Sequence, residues 1–415
     1  LLWNGGIGTF VKATTETHAD AGDRNNDAIR IDAPELNARV VGEGGNLGLT
    51  QLARIEYSLS GGSIDTDFID NSAGVDCSDH EVNIKILLNG LVANDDLTEK
   101  QRNILLAEMT DEVSSLVLRN NYTQTQAVSL SQVQALNNID LFSNFIMQLE
   151  ETGLLSREIE FLPDEKELFE RKSHGKGLTR PEIDVLLSYS KIQLKEGILQ
   201  SKIPEDKYLN KIVETAFPTA IRERYKKDIY NHSLQREIVA TQLSNSILDA
   251  MGAVFIKRLQ DETGASMCQI VRAYIIASKT FHLREVWESI EALDYIVPSD
   301  VQTEMMISIS RLIRRATRWI IGNHKDLSDV EGIAKKYEKG VAYLFKELPK
   351  LLLGAGQEYY TTTIERYLSF GVPKQTASNV ASALAMFSAL DIVAACNENG
   401  MPIERVATVY FSLGS

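Results

Sequence analysis

The stretch "VVGEGGNLGLTQLARIEY", residues 40–57, ends an apolar run in glycines and then opens an amphipathic segment. That is the layout of a loop whose backbone approaches a ligand. A dinucleotide fingerprint sets glycines as G-x-G-x-x-G between a strand and a helix. Gly42, Gly44 and Gly48 instead give G-x-G-x-x-x-G, one residue too long. Asp65 stands 23 residues beyond Gly42, near where a ribose-binding acid belongs. Glu43 argues the other way, because a carboxylate in the turn repels a pyrophosphate held by helix N–H groups. Thr50 and Gln51 then follow in place of an apolar helix start. On the pattern alone three readings stay open: a phosphate cradle, a loop bringing backbone close to another part of a ligand, and a structural turn.

A second constellation is "DCSDHE", residues 76–81. Ser78 and Glu81 spell S-x-x-E ahead of Ile84, Leu87, Leu88 and Leu91, which predicts a capping box. The same helix N-terminus would offer N–H groups to a substrate carboxylate. Cys77 and His80 have C-x-x-H spacing, but no second pair follows. A structural zinc site needs four ligands, so no metal is expected. Lys12 and Lys85 are the only lysines among residues 1–95, and both read as surface residues. Arg311, Arg314, Arg315 and Arg318 recur at i, i+3, i+4 and i+7 and share one helical face. Such a stripe is expected to be solvated or paired with acids; a subunit contact and an anionic effector site are the alternatives.

The 415 residues suffice for two or three domains. Hydrophobic residues make up 44% and charged residues 24%, an ordinary globular balance. No apolar run reaches the roughly 18 residues of a membrane span. The opening "LLWNGGIGTF" lacks the basic-then-apolar pattern of a secretory signal. Three widely spaced cysteines fit a reducing compartment, and a cytoplasmic location is expected. Of the net charge of −14, residues 1–95 carry −9. That surface repels phosphate backbones and anionic lipid, so neither nucleic acid nor membrane is expected as a partner.

These residues must be positioned by the elements around them. Residues 1–95 hold 12 of the 26 glycines and alternate short apolar runs with helical stretches. "LLW", "ARVV" and "TDFID" read as strands; "DRNNDAIR", "TQLARIEYSL" and "SDHEVNIKILLNGLV" read as helices. The alternation predicts an open α/β sheet. From about residue 97 helical periodicity takes over. Met305, Ile309, Leu312, Ile313, Ala316 and Ile320 form one apolar stripe. Thr179 and Glu182 predict a capping box with Pro181 in the first turn, and Ile183, Leu186 and Leu187 face a core. "DETGAS" (261–266) and "FGVPKQTASN" (370–379) read as joints between helices, and "KSHGKG" (172–177) as a flexible joint between helical subdomains. Both ends read as cut, so an excised piece of a longer protein is expected.

"VVGEGGNLGLTQ" followed by "FIDNSAGVDCSDHEVNIKILLN" resembles the glutamate dehydrogenases, and within them the large NAD-specific class. "LLWNGGIGTF", "GLTRPEIDVLLSYSKI" and "LQREIVATQLSNSILDAMG" are similar to that class too, so the resemblance runs over essentially the whole chain. It implies an α/β plus all-α architecture. Residues 1–96 would be the second half of a Rossmann-like dinucleotide-binding domain, and 97–415 a large C-terminal helical region. In the family the phosphate-binding turn lies earlier in the chain, which makes 42–48 a later strand end near the nicotinamide. "EGGN" resembles E-G-A-N and implies Asn46 at substrate and nicotinamide. "NSAGV" resembles N-A-G-G-V and implies Asn71 beside both, with Ser72-Ala73 departing from Ala-Gly. Ser78 matches a serine that binds the substrate side-chain carboxylate. Gly5, Gly6, Gly44 and Gly45 are implied as the cofactor wall. The family's catalytic lysine and aspartate match no position here. The implied reaction takes L-glutamate to 2-oxoglutarate and ammonium with NAD as cofactor, in a protein expected to form a homo-oligomer; the segment by itself would be inactive. The other reading is a helical regulatory or oligomerisation scaffold without chemistry of its own.

Overall fold

The computed structural model describes residues 1–413. It is mostly helical with a small parallel sheet, and it divides into two compact units, residues 1–255 and 256–415. That division differs from the composition change near residue 97, because helices from beyond 97 pack directly on the α/β part.

Within the first unit the strands are β1 (Leu2–Asn4), β2 (Val11–Lys12), β3 (Ile31–Asp32), β4 (Val40–Glu43) and β5 (Ser63–Ile64). They form a parallel sheet of order β1-β4-β5 and a separate parallel β2-β3 pair. Register sets Trp3 opposite Gly42, Asn4 opposite Glu43, and Val41 opposite Ile64. Helix α1 (Gln51–Leu59) crosses from β4 to β5. Thr50 accepts from the Ala53 N–H as its cap, and Ala53, Ile55 and Tyr57 turn inward. Val11, Ala33, Val41, Leu49, Ala53, Tyr57 and Ile64 form the core under the sheet. The expected strands at "LLW" and "ARVV" and the helix at "TQLARIEYSL" are present.

Four expectations are corrected here. "TDFID" is not a strand but the short helix α2 (Asp67–Asp70), with Ile69 buried and Phe68 exposed. "DRNNDAIR" makes only one 3-10 turn, Arg24–Asn26, with Asp23 as its cap accepting from the Asn25 N–H. Helix α3 (Ser72–Ala93) begins six residues before Ser78, so Ser78 lies inside it rather than capping it, and Glu81 pairs with Lys85. Lys12 is buried against Asp32 and donates to the Ala13 carbonyl, 3.2 Å away. In "DCSDHE", His80 is buried with Nδ1 3.0 Å from the Ala216 carbonyl, whereas Cys77 is exposed.

The unit continues through α4 (Glu99–Glu108), α5 (Thr110–Asn137), α6 (Ile139–Glu151), α7 (Glu165–Ser173), α8 (Arg180–Leu199), α9 (Thr219–Arg224), α10 (Lys226–Tyr230) and α11 (Gln235–Met251). Helix α8 starts with the expected Thr179–Glu182 capping box. Pro181 through Leu187 are all buried, the pattern of a helix packed on every side. It lies against α1, α5 and α11. Buried Glu182 also receives Arg171 in a forked pair at 2.7 and 2.9 Å, which ties α7 to α8 across residues 172–177.

In the second unit, α12 (Phe255–Thr263), α13 (Met267–Thr280), α14 (Leu283–Glu291), α15 (Ser299–Asn323), α16 (Val330–Leu351), α17 (Gly354–Ser369), α18 (Lys374–Met386), α19 (Ala389–Asn399) and α20 (Ile403–Leu413) follow one another. The joints fall at 264–266 and 370–373, as the sequence predicts. Helix α15 buries its whole Met305–Ile320 stripe and packs on α13. Opposite the stripe, Arg314 and Arg318 share Glu262 with Arg258, and Arg315 stacks over Phe387. Among the described residues no single helix is long and apolar enough to cross a membrane.

The stripe yields a paired test. Ile313 is fully buried while Arg311, two residues earlier, is exposed. Ile313→Ala is expected to cost about 2–5 kcal/mol of unfolding free energy, and Arg311→Ala no more than about 0.5 kcal/mol. Urea unfolding followed by circular dichroism measures both; equal losses would mean the stripe is not the packing face.

Candidate functional site

The loop after β4 and the turn after α2 lie at the carboxyl ends of two neighbouring parallel strands, the edge where α/β sheets bind ligands. Their positions follow from one buried guanidinium. Arg54, from the second turn's start in α1, donates from Nε to Glu43 Oε2 at 2.6 Å and from Nη2 to Glu43 Oε1 at 3.1 Å. Nη2 also stands 3.4 Å from Asp67, and Nη1 donates to Gln51 Oε1 at 3.2 Å. Glu43 is fully buried and also accepts from the Leu49 N–H. It therefore faces the protein rather than a ligand.

Two further bonds bring the loop and the turn together. The Glu43 N–H donates to Asp70 at 2.8 Å, and the Leu47 N–H donates to Asp67 at 2.7 Å. The segment from 43 to 47, which holds Gly44, Gly45 and Asn46, is thus bolted to α2, and Asn71 follows α2 directly. Asn46 is exposed and Asn71 half-buried. The structure brings these two amides to adjacent loops. Ser78 is exposed on α3, two turns beyond Asn71 and roughly 10 Å along the helix axis. Seven residues are close to two full turns, so it shares Asn71's side of the helix.

The glycines are accounted for within the chain. A Cβ on Gly42 or Gly44 would sit 2.9 or 2.4 Å from the Trp3 indole, and one on Gly45 would sit 2.2 Å from the Gly6 carbonyl. The Gly44 and Gly45 N–H groups both donate to the Asn4 carbonyl. Gly6 and Gly45 therefore touch, and Gly5 lies beside the edge of Trp3. With these N–H groups engaged and no cation in the loop, the turn does not offer a pyrophosphate cradle. The exposed Asn46 amide and the half-buried Asn71 amide each offer a donor and an acceptor without adding charge.

Arg54, Asp67, Asp70, Arg180 and Asp184 were not singled out as site residues by the sequence, whereas Asp65 stood where a ribose-binding acid belongs. Asp65 is no ribose ligand: it is buried and held by Arg180 of α8 in a forked pair at 2.7 and 2.9 Å. The Thr66 N–H donates to Asp184 of α8 at 2.6 Å. Arg180 and Asp184 stand at i and i+4 in "GLTRPEID", one spacing that could have marked them. Five carboxylates, Glu43, Asp65, Asp67, Asp70 and Asp184, thus face the guanidiniums of Arg54 and Arg180. The excess of acid has a consequence. Complete burial, then the neighbouring Asp65 charge, pushes the Asp184 carboxyl well above its usual range. Burial lifts Glu43 too, against the opposing pull of Arg54.

Burial, aided by Asp65 and Glu43 and opposed by the Glu43 N–H, raises the Asp70 carboxyl to about 6. A carboxyl raised on folding binds a proton in the folded state that the unfolded chain has already released. Stability is therefore lost as pH rises from the ordinary carboxyl value through about 6. Asp70→Asn keeps an oxygen for the Glu43 N–H and removes this loss. It is expected to stabilise the protein by about 1–2 kcal/mol near pH 7, allowing for partial solvent exposure, and to leave it unchanged near pH 4. Urea unfolding of both proteins across this range checks the sign; an offset independent of pH would contradict it.

Comparison with known proteins shows the family. Residues 1–131 match the family described as bacterial NAD-glutamate dehydrogenase, catalytic domain, and residues 175–415 match glutamate dehydrogenase, C-terminal. The chain is 48% identical over its full length to an NAD-specific glutamate dehydrogenase of Halomonas elongata and 49% identical to one of Pseudomonas aeruginosa, covering 26% of each. It is 38% identical to an NAD-specific glutamate dehydrogenase of Mycobacterium tuberculosis, covering 25% of that protein. The chain thus spans about a quarter of the length of these curated relatives. With the family match extending over more than half of its residues, the chain belongs to the glutamate dehydrogenase family.

Proposed function

We propose that this chain is part of an NAD-dependent glutamate dehydrogenase, converting L-glutamate, NAD⁺ and water to 2-oxoglutarate, ammonium and NADH. The observation that carries the reading is the joining of the Asn46 loop to the Asn71 turn through Asp67 and Asp70 at the carboxyl ends of β4 and β5. The β4-α1-β5 crossover between parallel strands supports reading residues 1–96 as the later half of a Rossmann-like domain, with 97–415 as the helical region.

In this reading Asn46 and Asn71 orient the substrate amino group and the nicotinamide carboxamide, Ser78 donates to the distal substrate carboxylate, and Gly5, Gly6, Gly44 and Gly45 line the cofactor wall. Bound NAD would supply the hydride acceptor. Orientation is what the chain contributes, and fixing reactants in a near-attack geometry lowers the barrier by itself. Proton transfer and carbonyl polarisation need other residues. Lys12 is committed to Asp32, and Lys85 is exposed and paired with Glu81. The isolated chain is therefore inactive in this reading.

A second reading, assembly, is favoured by one feature of the second unit. Tyr359, Leu384, Phe387 and Tyr410 are exposed around a groove of about 450 Å³ between α17, α18 and α20. Assembly and catalysis are compatible roles, and a homo-oligomer is part of the proposal. Sedimentation of the chain over a concentration series tests it: self-association supports assembly, and a monomer throughout sets it aside.

For the catalytic reading, Asn46→Ala and Asn71→Ala in the intact polypeptide are each expected to lower kcat/KM for glutamate by about 10–100-fold. Ser78→Ala should raise the KM for glutamate by about 10-fold with little change in kcat. The purified 415-residue chain should form no NADH from glutamate. Wild-type constants in all three variants, or turnover by the chain alone, would contradict the assignment.

A further inference from the structure

We infer that Asn121, on helix α5, is a positioning residue for the Asn71 turn, an inference that rests on the catalytic reading above. Its side-chain Nδ2 donates to the Ile69 carbonyl at 2.9 Å, to the Asp70 carbonyl at 3.3 Å and to Ser72 Oγ at 2.9 Å. These three acceptors bracket Asn71 in sequence. An amide nitrogen has two protons, so one of them is shared. All three oxygens must then converge on a single point, and that convergence sets the course of the chain through Asn71.

The turn needs such a holder. Helix α2 has four residues, too few to persist alone, and its last carbonyls have no partners within it. Ile69 is buried, so its carbonyl needs a partner from the protein, and Asn121 supplies one. Asn71 itself sits at φ −101° and ψ 25°, and its side chain makes no capping bond to α3 among the described residues. Its amide is thus left over for another task. Gly74 preserves room for it, since a Cβ there would stand 3.2 Å from Asn71 Oδ1. At the other end of the same segment, Arg180 grips Asp65 and Asp184 takes the Thr66 N–H. Helices from the region beyond residue 97 therefore hold both ends of the segment that presents Asn71.

A double-mutant cycle in the intact polypeptide tests this, using wild type, Asn71→Ala, Asn121→Ala and the double variant. Asn121→Ala is expected to lower kcat/KM for glutamate by about 10-fold or more, the scale of a misplaced reactant. In the Asn71→Ala background the same change should lower it by less than about two-fold, because both act through one amide. The shift in thermal midpoint should be equal in the two backgrounds. If Asn71→Ala is impaired while Asn121→Ala keeps wild-type kcat/KM, or if the two losses multiply, the positioning role is overturned and the site assignment survives. If Asn71→Ala is fully active, the site assignment falls and takes this inference with it. Should Asn121→Ala not fold, Asn121→Ser, which keeps a shorter donor, enters the cycle with the same criteria.

Discussion

A guanidinium taken out of water must have partners, and the candidate site is organised around that requirement at Arg54. Its fork occupies both oxygens of Glu43, a third contact reaches Asp67, and a fourth ties it to Gln51. Gln51 in turn donates to the Pro181 carbonyl at the start of α8. Strand β4, helix α1 and helix α2 are thus linked through Arg54, and Gln51 extends the link to helix α8. Breaking a buried pair by removing one partner costs far more than the pair contributes, because the other charge is left stranded. The loop that carries Asn46 inherits that rigidity.

The same network carries more acid than base. The excess is tolerable because burial and mutual repulsion keep protons on some of its carboxyls at pH values where exposed carboxyls have lost them. Asp70 is the member that reaches both ways, accepting from the loop at Glu43 and preceding Asn71 directly. This largely buried, over-acidic cluster is a structural cost, and it falls where the Asn46 loop meets the Asn71 turn.

Much of the scaffold was legible in the sequence because local rules decide it. The Thr50 cap, the Thr179–Glu182 box and the Met305–Ile320 stripe each follow from spacing within a few turns. What failed also had local causes. "TDFID" looks like a strand because five residues do not separate a period of 2 from one of 3.6. Ser78 and Glu81 satisfy a capping pattern that the helix start at Ser72 overrides. The pattern of glycines at 42–48 leaves ligand approach and a structural turn both open, and the nearest demand on Gly42, Gly44 and Gly45 is the Trp3 ring and the Gly6 carbonyl. The pairs that organise the site were illegible for a different reason. Arg180 and Asp65 lie 115 residues apart, and spacing at that range says nothing about contact. Asn46, Asn71 and Ser78 became candidates through family resemblance, since no local rule distinguishes an asparagine that orients a ligand from one that closes a turn.

We propose that this clamp presents the Asn46 and Asn71 amides to one crevice where an amino acid meets its oxidant. The most direct measurement is a structure of the intact polypeptide with NAD and 2-oxoglutarate bound. The account predicts the nicotinamide carboxamide and the keto acid within hydrogen-bonding distance of these two amides, beyond the ends of β4 and β5, with Glu43 still buried on Arg54. A nicotinamide seated elsewhere, with both asparagines turned to solvent, would contradict it.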